Sequence, residues 1–344
     1  MMRFIHIGDV HWGANPDRGT PWGRFRGKEI QETFKRVLSY AEKQEIDLLL
    51  ISGDFFQSPP SYQEVREIDY LLGKLQKTRV VWIAGNHDHL SEESPLLKYP
   101  FHDNVHFLAG SEPEEVYFPD LHTAVYGFSY WTDQIREPLY DKVKPTREDG
   151  IRILLAHGGD ESHIPINREI LKWSGFDYIA LGHIHKPEII FEDLMAYAGS
   201  LEPLDHTETG THGFMEGEIT EEKQIVRFVP FAKRRYMEVE VTVSEEMGQE
   251  EILDRIETEL SYRGNQNLYK VIVTGRIDPE LSPDFERLLD HYFISDFRME
   301  VTSRWDYEQI SREDDLLMQK VAGLLKDEPK ALSYAVKALM VSKE

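Results

Sequence analysis

Up to about Pro230, short and continuously apolar segments alternate with longer segments of helical periodicity. Continuous runs rich in Ile, Leu and Val are typical of strands in sheets that are covered on both faces. The pattern predicts strands over Phe4–Gly8, Asp47–Ser52, Val80–Ala84, Ala124–Phe128, Ile151–Ala156 and Tyr178–Leu181. It predicts helices over Glu29–Lys43, Tyr62–Gln76 and Asn167–Trp173. An alternation of this kind indicates the α/β class.

The pattern changes near Pro230 to Arg235, where we expect a domain boundary. Beyond it the predicted order is strand, helix, strand, helix, strand, over Tyr236–Val243, Gln249–Ser261, Tyr269–Thr274, Pro283–His291 and Arg298–Thr302. The tail from Arg312 to Met340 is helical in character, and Pro329 should divide it into two helices. We therefore expect a catalytic domain over residues 1–232, a small α+β domain over 236–305 and a helical tail over 306–344.

Composition places the chain among soluble globular proteins, with 40% hydrophobic and 29% charged residues. No apolar run approaches the ~20 residues that a membrane span needs. The chain has no cysteine, which excludes disulfides and thiolate metal ligands and makes a cytoplasmic location the default. The formal net charge of −23 should repel a polyanion such as nucleic acid. Metal ions bound in a cluster of carboxylates and imidazoles would reverse that charge locally.

Chemically active side chains follow the predicted strands, at the point where each strand ends. The candidate metal ligands are Asp9, His11, Asp54, Asn86, His157, His183 and His185. His87 and Asp88 come directly after Asn86. Because ligands of α/β sheets bind at the carboxyl ends of the strands, we expect these side chains to meet at one place.

The spacing of these residues suits metal binding. In Asp-x-His and His-x-His both side chains lie on the same side of an extended backbone and can reach one ion. Oxygen and imidazole ligands without sulfur favour Mn, Fe or Zn over Ca or Mg. The set is too large for one tetrahedral ion but sufficient for two ions that share a carboxylate. Two metals ~3.5–4 Å apart form the clamp that stabilises attacking and leaving oxygens in phosphoryl chemistry.

These runs resemble the motif series of the calcineurin-like metallophosphoesterase superfamily, and the layout is similar to the SbcD-type double-strand-break repair nucleases. The resemblance covers Arg3 to about Pro230, including Tyr197–Pro203, and extends to the small second domain, which resembles the DNA-capping domain of that branch. It implies a four-layer fold of two mixed β-sheets flanked by helices, with a smaller α+β cap domain.

The resemblance also implies a role for each site residue. One ion would be held by Asp9, His11 and His185. The other would be held by Asn86, His157 and His183, with Asp54 bridging the two ions. His87 would protonate the leaving oxygen or stabilise the transition state, and Asp88 would orient His87 through a hydrogen bond. A metal-held hydroxide would be the nucleophile.

Residues outside this set give a less specific signal. Many relatives in the nuclease branch carry Gly-Asp-x-Phe-His, whereas this chain has Gln57 at the last position, which can bind a phosphate but cannot act as an acid. The segment Asn15–Lys28 carries Arg24 and Arg26 among aromatic residues, and either nucleic-acid contact or an ordinary solvated loop fits it. His6 is predicted to be a satisfied core histidine, and the histidines without ligand spacing are predicted to be surface or structural residues.

The leading hypothesis is a metal-dependent phosphodiesterase that acts on DNA ends. An enzyme of the same chemistry acting on a small diester such as a cyclic nucleotide is the alternative, favoured by the acidic charge and by Gln57. A protein serine/threonine phosphatase is disfavoured because no Asp-Arg-Gly run follows Asp54. A non-enzymatic scaffold is hard to reconcile with a complete ligand set. The leucine-rich tail fits packing against the chain's own body, whereas in the resembled family such segments dock onto an SbcC-type ATPase subunit. The resemblance further implies DNA and a homodimer as partners, and no membrane partner is expected.

Overall fold

The computed structural model describes residues 1–278, 281, 284–302 and 315–341. The chain forms two compact units, Met1–Arg235 and Tyr236–Glu344. The predicted boundary between cap and tail at residues 305 and 306 lies outside the described residues.

The first unit contains two six-stranded mixed sheets. Its strands are β1 Met2–Ile7, β2 Leu48–Ser52, β3 Arg79–Ile83, β4 Val105–Phe107, β5 Glu114–Phe118, β6 Thr123–Gly127, β7 Ile151–His157, β8 Tyr178–Gly182, β9 Glu188–Phe191, β10 Met195–Tyr197, β11 Gly213–Ile219 and β12 Gln224–Pro230. The first sheet has the order β12-β11-β1-β2-β3-β4 and the second β5-β6-β7-β8-β10-β9. β1, β2 and β3 are parallel neighbours, whereas β11 pairs with β1 in the antiparallel direction.

Helices cover the outer faces of the two sheets. Those of the first unit are α1 Gly23–Lys43, α2 Tyr62–Leu72, α3 Pro95–Lys98 and α4 Arg168–Lys172. Along β2 the side chains alternate: Leu49 packs in the cluster that contains Phe34 of α1, and Leu50 packs in the cluster between the sheets. On the far side, Leu154 of β7 packs with Leu171 of α4. The layers are therefore helix, sheet, sheet and helix, which confirms the predicted α/β metallophosphoesterase fold.

The predicted helices are present, but two of their boundaries differ. α1 begins at Gly23, so the carboxyl-terminal part of the predicted loop Asn15–Lys28 is helical. Its buried residues recur at helical spacing, which explains why the helix extends past the predicted start at Glu29. α2 begins with a capping box between Ser61 and Glu64 and ends at Leu72, earlier than predicted.

The predicted strands of the first unit are present with slightly displaced ends, and five of the six strands that the pattern missed there, all except β11, are of two kinds. β5, β9 and β12 include exposed residues, and β5 and β9 start with glutamates such as Glu114 and Glu188. Strands of this kind are half-exposed and carry charges, so they give no continuous apolar run. β4 and β10 are missed because they are very short.

The second unit contains a three-stranded parallel sheet, β13 Tyr236–Val243, β14 Leu268–Arg276 and β15 Phe293–Thr302. Helices α5 Gln249–Arg263 and α6 Glu286–His291 connect its strands, and such crossovers allow neighbouring strands to run parallel. Helices α7 Leu316–Leu324 and α8 Pro329–Val341 follow, and α8 begins at the proline that was predicted to divide the tail. The predicted starts at Pro283 and Arg312 lie outside the described residues. Among the described helices, none has the length and apolar character needed to cross a bilayer.

Candidate metal centre

The ends of parallel strands from both sheets bring the candidate ligands together. Asp9 and His11 follow β1, Asp54 follows β2 and Asn86 follows β3 in the first sheet, while His157 ends β7 in the second. The loop that follows β8 carries His183 and His185. Left-handed backbone turns the chain at Asp9, His11, Asp54 and His183, where φ is 49°, 50°, 48° and 97°. Non-glycine residues adopt such angles at a free-energy cost, which is typical of functional sites.

One cluster consists of Asp9, His11 and His185, whose ligand-type atoms all lie within 4.8 Å of one another. Nε2 of His11 is 3.0 Å from Nε2 of His185. The backbone N–H of His183 donates to both carboxylate oxygens of Asp9 at 3.0 Å. Asp9 and His11 are buried, so the cluster is shielded from bulk water on that side.

A second cluster consists of Asp54, His157 and His183, again within 4.8 Å. Asn86 belongs with it, because Oδ1 of Asn86 lies 2.9 Å from Nε2 of His157 and 3.1 Å from Nδ1 of His183. Nδ1 of His157 contacts the Ser52 carbonyl oxygen at 2.9 Å, which directs Nε2 towards the cluster.

Asp54 belongs to the second cluster and also faces the first. Its two carboxylate oxygens have different contacts. Oδ1 accepts a hydrogen bond from the backbone N–H of His87 at 2.8 Å. Oδ2 is 3.4 Å from Nε2 of His157 and 4.0 Å from Nε2 of His11. A Cβ on Gly85 would overlap Oδ1 of Asp54, so the loop after β3 can approach this carboxylate only because a glycine stands there.

His87 lies beside the clusters, with its ring centroid 4.9 Å from that of His11. Nδ1 of His87 is 3.1 Å from the carbonyl oxygen of Gln57. The two rings are nearly perpendicular, at 82°.

Asp88 does not orient His87, contrary to the prediction. Among the described residues, its carboxylate accepts hydrogen bonds from the backbone N–H groups of Gly85, Phe55 and Phe56, at 2.7, 2.9 and 3.1 Å. A fully buried carboxylate needs such donors, and these are supplied by the loops after β2 and β3. Asp88 therefore ties those two loops together. Burial and the charge of Asp54 raise the pKa of Asp88 to about 7.

The burial of several charged groups perturbs their protonation. Burial raises the pKa of Asp9 to about 6 and lowers the pKa of His11 to about 3. Burial opposes charge on His157, but the neighbouring Asp54 carboxylate outweighs it and raises the pKa of His157 to about 9. Burial likewise opposes charge on Asp54, and the charges of His157 and His11 hold its pKa below the usual range. A cation bound among these groups would compete with the protons for the same lone pairs.

Two carboxylates that the sequence analysis did not single out contact candidate ligands. Asp160 Oδ2 is 2.7 Å from Nε2 of His183, and Glu208 Oε1 is 2.7 Å from Nδ1 of His185. His163, predicted to be a surface or structural residue, contacts the same Asp160 at 2.8 Å. The Gly158-Gly159 pair after His157 is the one feature of the local sequence that indicates a functional turn at Asp160. No feature of the local sequence indicates a role for Glu208.

The predicted substrate contacts are placed very differently. Arg26 is fully buried, and its guanidinium donates to Asp17, Glu29 and the carbonyl oxygen of Pro203 at 3.2, 2.7 and 2.6 Å. The structure thus gives Arg26 a position in the core, away from any substrate. Arg24 is exposed and lies over the ring of Phe25.

Two other residues of the sequence analysis have defined positions in the structure. Gln57 is half-buried beside His87. His6 is confirmed as a satisfied core histidine, with contacts of 2.9 Å to the Tyr178 hydroxyl and 3.0 Å to the Ser52 hydroxyl.

The residues present fit a pair of divalent metal ions. Each cluster combines carboxylate oxygen with imidazole nitrogen, and Asn86 adds an amide oxygen to the second. Mixed oxygen and nitrogen donors are the ligands of Mn, Fe and Zn in proteins. Strand ends hold the donors in place, so little rearrangement is needed for binding.

A fold of two mixed sheets with paired His/Asp clusters at the strand ends defines the metallophosphoesterase class. The family model for calcineurin-like phosphoesterases matches residues 2–187. The chain belongs to this family, as the sequence analysis predicted, and is a metal-dependent phosphoester hydrolase.

Three proteins are similar to this chain over more than half of its length. The uncharacterized metallophosphoesterase YhaO of Bacillus subtilis is 27% identical over 234 residues, which span 62% of this chain and 56% of that protein. The DNA double-strand break repair protein Mre11 of Methanocaldococcus jannaschii is 28% identical over 316 residues, spanning 86% of this chain and 81% of that protein. Mre11 of Methanopyrus kandleri is 28% identical over 232 residues, spanning 60% and 50%. The matches to YhaO and to the Methanopyrus protein thus cover about half of each relative's length.

Proposed function

We propose that this chain is a binuclear-metal phosphodiesterase of the SbcD type that cleaves DNA at or near its ends. The observation that carries the proposal is the position of Asp54, whose Oδ2 lies between a histidine of one cluster and a histidine of the other. A carboxylate in this position can be shared by two metal ions, and a metal pair ~3.5–4 Å apart clamps the attacking and leaving oxygens of a phosphoester.

The ligand assignment follows the two clusters. Asp9, His11 and His185 would hold one ion. His157, His183 and Asn86 would hold the other, with Asp54 shared between them. Manganese is the metal that we propose, with iron and zinc as the other ions that this donor set accepts. When bound, the ions supply a nucleophile at neutral pH and stabilise charge on the phosphoryl oxygens.

His87 is the residue proposed to move a proton. A carbonyl oxygen only accepts hydrogen bonds, so the contact with Gln57 places a proton on Nδ1 of His87. The exchangeable proton is then at Nε2, where the imidazolium can donate to a leaving alkoxide.

Two observations favour DNA as the substrate. The Methanocaldococcus relative is a DNA double-strand break repair protein, and the match covers 86% of this chain. Since the catalytic unit ends at Arg235, a match of that extent includes part of the second unit. We propose that the second unit acts as a DNA-capping domain. An SbcC-type ATPase subunit, a homodimer and a cytoplasmic location remain predictions.

A small diester such as a cyclic nucleotide is the second candidate substrate. The net charge of −23 favours it because a polyanion is repelled at long range. Gln57 also favours it, since many of the resembled nucleases carry a histidine at this position.

Manganese-dependent hydrolysis of a linear DNA duplex, run beside bis(p-nitrophenyl) phosphate, tests the proposal. We expect both substrates to be cleaved by the wild type and neither by His87→Ala. If only the small diester is cleaved, the proposed metal chemistry stands and a nucleotide-sized molecule becomes the proposed substrate. Absence of metal-dependent cleavage of either substrate would overturn the proposal.

A further inference from the structure

The loop after β8 carries two candidate ligands whose rings are held in opposite ways. His183 has Nδ1 at 3.1 Å from Oδ1 of Asn86 and Nε2 at 2.7 Å from Oδ2 of Asp160. His185 has Nε2 at 3.0 Å from Nε2 of His11 and Nδ1 at 2.7 Å from Oε1 of Glu208. His183 therefore presents Nδ1 to the cluster, and His185 presents Nε2.

A hydrogen bond to a carboxylate fixes the imidazole tautomer. An ionised carboxylate only accepts, so the histidine nitrogen that faces it must carry the proton. The proton of His183 then lies on Nε2 and that of His185 on Nδ1. In each ring the other nitrogen faces the cluster, where a bound cation would take its lone pair.

We infer that Asp160 and Glu208 are a matched pair of positioning residues that hold the rings of His183 and His185 in opposite orientations, with Nδ1 of one and Nε2 of the other facing the clusters, and that each controls one of the two metal sites. This inference rests on the proposed ligand assignment. Neither carboxylate is a ligand in it: each acts on the metal only through a histidine. Such partners orient the ring and increase its basicity.

Both carboxylates are themselves held by the backbone. Oδ1 of Asp160 accepts from the backbone N–H groups of Ser162 and His163 at 2.7 and 2.9 Å, which leaves Oδ2 facing His183. Oε2 of Glu208 accepts from the backbone N–H of Leu204 at 3.0 Å, which leaves Oε1 facing His185. In each case one oxygen accepts from the backbone and the other faces a ligand histidine, and Oδ2 of Asp160 also lies 2.8 Å from Nδ1 of His163.

The two pairs act on different clusters. Asp160 holds a member of the Asp54 cluster, and Glu208 holds a member of the Asp9 cluster. The Glu208 side chain is 15% exposed and that of Asp160 is 46% exposed. Solvent screens a hydrogen bond to an exposed carboxylate more strongly, so loss of Glu208 should have the larger effect.

Metal binding to Asp160→Ala and Glu208→Ala, measured by equilibrium dialysis against Mn²⁺, tests the inference. Removing partners of this kind typically weakens metal binding about 10–100-fold. We expect each variant to bind one ion with the wild-type affinity and the other that much more weakly. Asp160→Asn and Glu208→Gln should restore part of the affinity because an amide oxygen still accepts the imidazole proton. Glu161→Gln, an exposed neighbour of Asp160, is the matched control and should bind as the wild type does.

The tautomers can be read in the Zn²⁺-loaded protein, a diamagnetic form, from the ¹⁵N shifts of labelled histidines. We expect a protonated Nε2 in His183 and a protonated Nδ1 in His185, with the His183 pattern lost in Asp160→Ala and the His185 pattern lost in Glu208→Ala. If both variants bind two ions as the wild type does and retain these patterns, the inference is overturned while the proposed function stands. If the wild type itself does not bind two ions, the proposed function fails. If an alanine variant does not fold, the amide variants are compared with the wild type by the same two measurements.

Discussion

Nδ1 of His87 donates a hydrogen bond to the carbonyl oxygen of Gln57 over 3.1 Å. The loop after β2 thereby orients a side chain from the loop after β3, and the contact uses the backbone of Gln57. The orientation of His87 is therefore independent of which side chain stands at position 57.

Replacing His87 by alanine should leave the metals in place and remove most of the turnover. His87 is in neither cluster, so the metal content measured by mass spectrometry should equal that of the wild type. The loss of a general acid should lower kcat about 10²–10⁴-fold. A variant that lost its metals would contradict the ligand assignment.

Gln57→Ala should leave kcat nearly unchanged, because the carbonyl group that holds His87 is retained. A change within about 0.5 kcal/mol, roughly twofold in rate, is typical of a substitution without a special contact. Steady-state kinetics on the phosphodiester provide the measurement. A higher KM with the same kcat would show instead that the amide of Gln57 binds the substrate.

Asp54→Ala should abolish the binding of both ions, whereas Asp9→Ala should abolish one. The reason is that Oδ2 of Asp54 faces histidines of both clusters, while Asp9 belongs to one. Metal stoichiometry after dialysis distinguishes the two variants. Two fully occupied sites in Asp54→Ala would show that Asp54 does not bridge the ions.

His6 should make the fold sensitive to acid. Burial lowers the pKa of His6 to about 3, so the folded protein keeps this ring neutral while the unfolded chain takes up a proton below about pH 6.5. Stability should therefore fall, by up to about 1.4 kcal/mol per pH unit, as the pH drops from 6.5 towards 3.

The control for this prediction is His6→Gln, which cannot be protonated. Urea denaturation of both proteins at several pH values, in the presence of a chelator, gives the comparison. The variant should be less stable than the wild type at pH 8, and the difference should shrink on acidification. Parallel curves would contradict the prediction.

Arg26→Ala should destabilise the catalytic unit. It would remove one of the two arginine partners of the buried Glu29, which keeps its contact with Arg234 at 2.7 Å, and a hydrogen bond to a charged group contributes about 1.5–3 kcal/mol. Lys28→Ala, on the exposed side of the same helix, should have no measurable effect. Denaturation followed by tryptophan fluorescence gives the free energy of unfolding. If Arg26→Ala altered KM and left the free energy of unfolding unchanged, Arg26 would be a substrate contact, as the sequence analysis predicted.

The sequence predicts the central strands and the cluster residues because both are encoded locally. The runs that form β2 and β8 are apolar up to their last residue, and motifs such as Gly182-His183-Ile184-His185 place ligand types at strand ends. The bonds of Asp88 and the pairing of Glu208 with His185 depend on contacts between distant segments, for which the local pattern has no signal. Arg26 was misplaced for the same reason, because its partners include Pro203.

The pairing of β1 with β11 has a consequence for how the protein is made. Residues Met2 to His6 are synthesised long before their antiparallel neighbours, Met215 to Ile219. At a translation rate of roughly 5–20 residues per second, β11 is synthesised on the order of ten to forty seconds after β1. Until then one edge of β1 lacks its neighbouring strand. A ribosome-bound chain that ends at residue 187, where the family match stops, would already carry the whole Asp9 cluster and still lack that strand. The nascent chain should therefore acquire protease resistance only after β11 has left the ribosome.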